Sequence, residues 1–511
     1  MTGTRVQVLR DIENWILSPK AKRIFWLTGK AGMGKTAIAH TVCTIAHANK
    51  QIMLGGSFFC SRSTGLAAQR DVRCIVPTLA QLLARQSTGF SKALAAELKR
   101  DPDILYQQVT EQVEHLLYIP LLAVKKSLVP ILFVIDALDE CSDRPTSEMA
   151  SNGESHRIVS DMLEALVNLS NSSVKLPVRF LVTSRPETHI RDTPVSDVAF
   201  SSVLQLHTVN KQQVTADIHL YVSRRLFSFP KLRACFTADD VEMLVHLSDG
   251  LFIVATTALK YVLDGGIEAA ASRFKTLLNS TRDGLSSGAA APLDHMYGLI
   301  LADATKVDQI DGDELQAMPQ LLASLLSARM TLSVAALADL HGTDRNEVRA
   351  RLSDLHAVIH VPDNDNEPGL RTLHASFGDY LMSRRPRDTC ISGSLGHKML
   401  ARGCLRIMAE RLHFNMSQSR SSYEPNPKMR PDAISLSLEY ACLQWIHHVA
   451  AISDSSEFDE EIDGVFRSRF LFWLEVVSLL GNVSRAAAIL FFAASTVSWS
   501  FSDVATTLMH S

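Results

Sequence analysis

The stretch Gly29-Lys30-Ala31-Gly32-Met33-Gly34-Lys35-Thr36 decides how the chain is read. Glycine, four free positions, glycine, lysine and a hydroxyl residue form the P-loop pattern. The apolar run Ile24-Phe25-Trp26-Leu27 before it predicts a buried strand, and Ala37 to His47 after it predicts a helix with Ile38, Val42 and Ile45 close to one face. The glycines let the backbone wrap a phosphate at dihedrals that other residues avoid, so that N–H groups converge on the anion at a helix N-terminus. Gly29 through Ala37 would hold a nucleotide, with Lys35 neutralising its β- and γ-phosphates and Thr36 placing a hydroxyl on Mg²⁺.

A second apolar run, Pro130-Ile131-Leu132-Phe133-Val134-Ile135, ends in Asp136-Ala137-Leu138-Asp139-Glu140. A carboxylate at the tip of a strand beside a P-loop holds Mg²⁺, usually through water, because the ion sheds its hydration shell reluctantly. Asp136 fits that task, Ala137 is small enough to leave room for phosphates, and Asp139 or Glu140 can orient or deprotonate the attacking water. A further strand, Val178 to Thr183, ends in Ser184-Arg185-Pro186, where Arg185 can reach a γ-phosphate. The plainer alternatives are an exposed turn for the acids and a surface ion pair for Arg185.

Strands and helices alternate between these motifs. Val6, Leu9, Ile12, Trp15 and Ile16 give an amphipathic lead helix that ends near Ser18-Pro19. Ile52 to Phe59 reads as a strand, and Val72 to Ala84, Val109 to Leu117 and Ile158 to Leu169 read as helices, with a polar loop over Ser142 to Arg157. The alternation predicts an α/β fold, a parallel sheet covered by helices on both faces.

At 511 residues the chain is long enough for three or four domains. A hydrophobic share of 46%, a charged share of 21% and a net charge of -3 exclude a global positive field for nucleic acid or an anionic membrane. The N-terminus meets charged Arg10, Asp11 and Glu13 with no apolar core segment, so no secretory signal is expected, and Ala486 to Trp499 is too short to span a bilayer. The eight cysteines are scattered, without Cys-x-x-Cys or paired-histidine spacing, which predicts reduced core residues and a cytoplasmic setting.

Four segments in this order, Gly-Lys-Ala-Gly-Met-Gly-Lys-Thr, Ser-Phe-Phe-Cys-Ser-Arg, Val-Ile-Asp-Ala-Leu-Asp-Glu-Cys and Phe-Leu-Val-Thr-Ser-Arg-Pro, resemble the NACHT domain of fungal NLR-like proteins. This is the group with nephrocystin-type N-terminal NTPase modules, within the signal-transduction (STAND) ATPase class. Val214 to Phe227 and Ala238 to Leu247 predict helices, and Ser248 to Ala255 resembles a segment of that family's small helical domain. Many relatives carry a proline there against the nucleotide base, where this chain has Leu251 and Phe252. Asn279 to Pro292, rich in Ser, Gly and Ala, predicts a linker.

Beyond it, Ala335 to His341, Asn346 to Leu355 and a hairpin of Val358 to Val361 with Leu370 to Leu373 predict a winged helix. Its second helix balances Arg345, Arg349 and Arg351 with Asp344, Glu347 and Asp354, which argues against a phosphate-contacting face. Leu373 to Leu381 resembles the family's winged-helix motif, whose histidine reaches the β-phosphate of bound ADP; the matching position is His374, and a local hydrogen bond is the bland alternative. Cys390 to Leu412, Leu436 to Ala450, Phe470 to Leu480 and Arg485 to Trp499 predict an all-helical end.

The expected division is a lead helix (1–22), an NTPase domain (23–200), a small helical domain (201–285), a winged helix (286–385) and a helical C-terminal domain (386–511). The resemblance implies a signalling switch of the innate-immunity or self/non-self type, closed with ADP, open and self-associating with Mg-ATP, and reset by slow ATP hydrolysis. The effector and repeat sensor typical of that family are not found in the sequence, so a protein partner would act through separate regions. Adenine is preferred by resemblance, and the guanine motif Asn-Lys-x-Asp is missing, since Asn210-Lys211-Gln212-Gln213 ends in the wrong residue. A nucleotide-stabilised interaction scaffold without significant turnover is the alternative, followed by an efficient P-loop enzyme or motor and by DNA binding through the winged helix.

Overall fold

The structure, a computed structural model, describes residues 3–62, 67–123, 129–141, 152–171, 176–186, 202–228, 236–263, 266–284, 292–305, 314–383, 391–421, 434–452 and 454–483, with scattered residues up to 493. The chain forms two compact units, one ending at Met296 and one beginning at Tyr297.

In the first unit, β1 (Ile24–Thr28), β2 (Met53–Phe59), β3 (Ile131–Asp136), β4 (Val178–Ser184) and β5 (Ser202–Gln205) form a parallel sheet in the order β2-β3-β4-β1-β5. The side-chain period of two divides the sheet's core cleanly. Ile24, Trp26, Ile131, Phe133, Ile135, Phe180 and Val182 enter one apolar cluster, and Phe25, Leu27, Leu132, Val134 and Leu181 enter the other. The second cluster is closed by α1 (Val6–Leu17) and α2 (Lys35–Ala48). The first is closed by α3 (Ile75–Gln86), α4 (Thr88–Arg100), α7 (Asn152–Asn171) and one continuous helical rod between α4 and β3. That rod runs as α5 (Val109–Gln112), a π-helical turn (Val113–Tyr118) and α6 (Ile119–Leu122). Phe133 and Phe180 stack at 5.2 Å between rings, each ring contributing about 1.5–3 kcal/mol by leaving water.

Several expectations are corrected here. β5, at Ser202–Gln205, pairs with β1, so the sheet extends past the boundary expected at residue 200; its four residues carry too little apolar pattern to be read as a strand. Helix α7 starts at Asn152, inside the stretch expected to be loop, whereas 142–151 lies outside the described residues. After the sheet come α8 (Lys211–Phe227), α9 (Ala238–Ser248), α10 (Phe252–Leu263) and α11 (Gly266–Gly284). The expected linker from Asn279 thus begins as helix, and 285–291 is outside the described residues.

The second unit takes up α12 (Pro292–Thr305) from Tyr297 onward and continues with α13 (Glu314–Ser327). Then α14 (Val334–His341) and α15 (Arg345–Ser353), capped by Ser333 and Asp344, lead into an antiparallel pair, β6 (Ile359–His360) with β7 (Arg371–Thr372). Arg349 Nε donates to Asp365 Oδ1 at 2.7 Å, tying α15 to the hairpin loop. Next follow α16 (Ala375–Met382), α17 (Gly393–Arg411), α18 (Leu436–Ala450) and α19 (Asp459–Leu479). The last begins well before the expected Phe470, and Arg485 to Trp499 lies largely outside the described residues. Helix α17 packs backbone to backbone on its neighbours: a Cβ on Gly396 would sit 2.1 Å from Ala323 O, and one on Gly403 2.2 Å from Leu340 O. Among the described residues no helix is long and apolar enough to cross a membrane.

Candidate nucleotide-binding site

Parallel strands present their carboxyl ends along one edge, where ligands of open α/β sheets bind. Gly29 to Gly34 leave β1 at that edge and open α2, with Gly32 and Gly34 at φ of +77° and +91°. A Cβ on Gly32 would lie 1.9 Å from Ile253 Cγ2, so dihedral and packing both demand glycine there. At Gly34 a Cβ would meet nothing within 4 Å, so the space beside the backbone at the N-terminus of α2 is open. Lys35 Nζ donates to Gly29 O at 2.6 Å and to Lys30 O at 3.0 Å. Burial pushes the Lys35 ammonium below its ordinary pKa; Asp139 pulls it back up, Arg185 pushes it further down, and Asp136 and Glu140 raise it.

Asp136, 1% exposed, ends β3. Thr183 Oγ1, from the adjacent β4, donates to Asp136 Oδ1 at 2.5 Å and accepts the Ala137 N–H at 3.0 Å. That second bond holds Ala137 in the left-handed region at φ 54°, which costs an L-residue about 1–2 kcal/mol and starts the turn Leu138–Glu140. Thr36 lies near enough to Asp136 to favour its carboxylate. Burial raises the Asp136 pKa, opposed by the Thr183 bond, by Thr36, and by His40 and Lys35. A hydroxyl and a carboxylate are the hard oxygen donors that Mg²⁺ takes, and the glycine backbone at a helix N-terminus and the Lys35 ammonium suit phosphate, so Mg²⁺ and a nucleotide fit the residues present.

The structure assigns the other two acids to different neighbours. Asp139, 4% exposed, accepts the Arg185 N–H through Oδ1 at 2.9 Å and meets Arg185 Nε through Oδ2 at 3.1 Å. Both of its oxygens are therefore engaged by Arg185. Glu140 is half-buried, and Oε2 accepts the Arg62 N–H at 3.1 Å. Burial raises its pKa; the Arg62 N–H opposes that, Asp139 adds to it, and Arg185 and Arg62 oppose it.

Thr183, Arg62, Ile253 and Arg5 belong to this edge and were not singled out as site residues from sequence. Arg5 precedes α1, is 6% exposed, donates through Nη2 to Met33 O at 3.1 Å and lies 5.0 Å over the Phe252 ring. Ile253 N–H donates to Gly32 O at 3.1 Å, so the Leu251-Phe252-Ile253 segment packs on the P-loop without the proline of other relatives. Arg62, Thr183 and Ile253 lie inside segments that carried the family resemblance, whereas Arg5 lies in none of them.

His374 is the N-cap of α16, its Nδ1 accepting the Ser376 N–H at 3.1 Å. In the neutral ring the proton then sits on Nε2.

The sheet order, the P-loop at the end of β1 and the acids at the end of β3 define the α/β fold of the P-loop NTPases. Residues 2–185 match the family model described as Nephrocystin 3, N-terminal, in line with the expected nephrocystin-type NTPase module over this stretch. No curated protein matches the chain. Among solved structures, the chain is similar to a STAND protein with a tetratricopeptide repeat sensor from Pyrococcus horikoshii, at 10% identity and TM-score 0.40 over 96% of this chain and 53% of that one. It is also similar to Drosophila ORC bound to DNA, at 12% identity and TM-score 0.30 over 70% of this chain and 81% of that one. Cdc6p from Pyrobaculum aerophilum follows at 11% identity and TM-score 0.30 over 78% and 94%. The chain spans about half the length of the Pyrococcus protein, at 53%.

Proposed function

We propose that the chain is a NACHT-type nucleotide switch of the STAND class, closed with ADP, open and self-associating with Mg-ATP, and reset by slow hydrolysis. The observation that carries this reading is the convergence of Lys35, the Thr36–Asp136 pair, the Asp139–Arg185 pair and Glu140 on the carboxyl edge of three adjacent strands. Gly29 to Ala37 bind the phosphates, Lys35 neutralises them, and Thr36 with Asp136 holds Mg²⁺. When bound, Mg²⁺ supplies neutralisation of phosphate charge. Asp139 fixes Arg185 at the end of β4, where its guanidinium distinguishes a γ-phosphate from its absence, and Glu140 accepts the proton of the attacking water.

A nucleotide drives such a switch only through different contacts in its two states. Arg185 on the γ-phosphate and the Nε2–H of His374 on the β-phosphate of ADP are the contacts assigned here. The reading divides the chain into the NTPase domain, the small helical domain, the winged helix (286–385) and the helical end. Nucleic acid is not assigned as a partner, because in the second helix of the winged helix Arg349 pairs with Asp365 and Arg351 with Glu347. The setting assigned is cytoplasmic and NLR-like, with an unidentified protein partner.

The test is the nucleotide released on denaturing the purified protein, resolved by ion-exchange chromatography. Stoichiometric ADP in the wild type, lost in Lys35→Ala and released faster from His374→Ala, supports the switch, and oligomerisation with Mg-ATP then follows. A protein that holds no nucleotide and takes up no ATP overturns it.

A further inference from the structure

The segment Ser57-Phe58-Phe59-Cys60-Ser61-Arg62 has no part in the switch as described so far. It leaves the carboxyl end of β2, next to the acid strand β3, and its path is fixed by a series of contacts. Cys60 N–H donates to Asp136 O at 3.0 Å, extending the pairing past the end of β2, and Ser61 N–H donates to Gln69 O at 3.1 Å. Beneath it the buried Cys60 and Cys141 thiols meet at 2.8 Å. Arg62 then touches the acid turn twice: its N–H donates to Glu140 Oε2 at 3.1 Å, and its Nη2 donates to Asp139 O at 2.6 Å. Among the described residues nothing else hydrogen-bonds the Glu140 carboxylate.

We infer that Arg62 is a positioning residue for hydrolysis: its guanidinium fixes the Asp139-Glu140 turn, and its N–H holds one Glu140 oxygen so that the other faces the attacking water. This rests on Glu140 being the proton acceptor. The grip matters because a general base works only when its carboxylate is aimed and ionised at the operating pH. Glu140 sits where burial favours the neutral acid, and the Arg62 charge favours the carboxylate. Alanine and lysine both keep the main-chain N–H at 62, so these variants remove or replace the guanidinium alone.

The experiment is ATP hydrolysis by the full chain, under single and multiple turnover from pH 5 to 9, for the wild type, Glu140→Gln, Arg62→Ala, Arg62→Lys and the Arg62→Ala/Glu140→Gln pair. Mg-ADP affinity and thermal melts are measured alongside. Expected for Arg62→Ala are unchanged Mg-ADP affinity, a roughly 10-fold lower kcat and an acid limb moved to higher pH. Arg62→Lys restores the limb, through charge, but not the full rate, and the double variant is no slower than Glu140→Gln. A wild-type rate and limb in Arg62→Ala, with Glu140→Gln inactive, overturns the role of Arg62 alone. So does a slower Arg62→Ala whose limb stays in place and whose loss persists on top of Glu140→Gln. A wild type that binds nucleotide yet hydrolyses none, or a fully active Glu140→Gln, removes the reading of Glu140 and this inference with it.

Discussion

The two units treat charged groups in opposite ways. At the sheet edge, burial pushes the Asp136 carboxyl up and the Lys35 ammonium down, so that the charged form of each is disfavoured relative to water. In the second unit, Asp339 Oδ2 accepts from Arg411 Nη1 at 2.9 Å and from Ser437 Oγ at 2.5 Å, linking α14, α17 and α18. Although burial opposes it, those two bonds bring the Asp339 pKa below its ordinary value, and the Asp339 bond raises that of Arg411. Asp339 and Arg411 are paired charge to charge, whereas the hydrogen bonds of Asp136 and Lys35 go to uncharged hydroxyl and carbonyl groups. Groups left in that state mark places where a ligand supplies the missing charge, whereas satisfied pairs mark joints between helices.

The contrast is broken most directly at Lys35. Lys35→Ala is expected to lower adenine-nucleotide affinity by at least about 100-fold, roughly 3 kcal/mol, while the melting temperature without nucleotide stays put. Equal losses in affinity and melting temperature would make Lys35 a structural group like Arg411.

A second expectation concerns acid. His341, hydrogen-bonded through Nε2 to Ser324 Oγ at 2.9 Å, is lowered to about 4 by burial and then by Arg406. The unfolded chain binds its proton more tightly than the fold does, so stability is lost as pH falls from about 6.5 through 4. Between pH 7 and 5 the loss is about 2 kcal/mol, and His341→Gln should remove most of that slope in pH-dependent melts.

Paired substitutions at Asp136 and Asp339 should move stability in opposite directions, each by about 1 kcal/mol. Asp136→Asn is expected to melt higher without Mg²⁺ and to lose Mg²⁺-dependent hydrolysis. Because the fold raises the Asp136 pKa, its penalty grows as pH rises through the acid range, and the asparagine variant lacks that fall in stability. Asp339→Asn should melt lower, by less at high salt, since both side chains are about a third exposed. Two shifts of the same sign would erase the distinction. The smallest effect belongs to Glu347, an exposed residue of α15 that pairs with Arg351 at 2.8 Å: Glu347→Gln is expected to cost a few tenths of a kcal/mol in a thermal melt.

What the sequence made legible follows the same division. β1, β3 and β4 are buried throughout and read as continuous apolar runs, while the P-loop glycines and the acids after Ile135 carry chemistry in residue type and spacing alone. β5 was not legible, because Ser202 and Gln205 flank only two apolar residues and its pairing with β1 is a long-range fact. Nor could spacing tell Asp139 from Glu140. They are neighbours in sequence, and only the turn begun by Ala137 sends one to Arg185 and the other to Arg62. Arg5 gave no signal, since an arginine before a helix is ordinary until Met33 and Phe252 are found against it. The cap made by His374 needed a backbone geometry that residue type does not encode.

Trp26 gives the site an optical consequence. Its buried indole N–H donates to Ser184 Oγ at 2.8 Å, and the Ser184 hydroxyl donates to Arg185 O at 2.9 Å. Indole emission depends on the polarity and hydrogen bonding around the ring, so a displacement of the Arg185 main chain would alter the colour or yield of the light from Trp26. The protein thus contains its own fluorophore at the strand end where the γ-phosphate would be read, and a Trp26→Phe variant separates that signal from the other four tryptophans of the five.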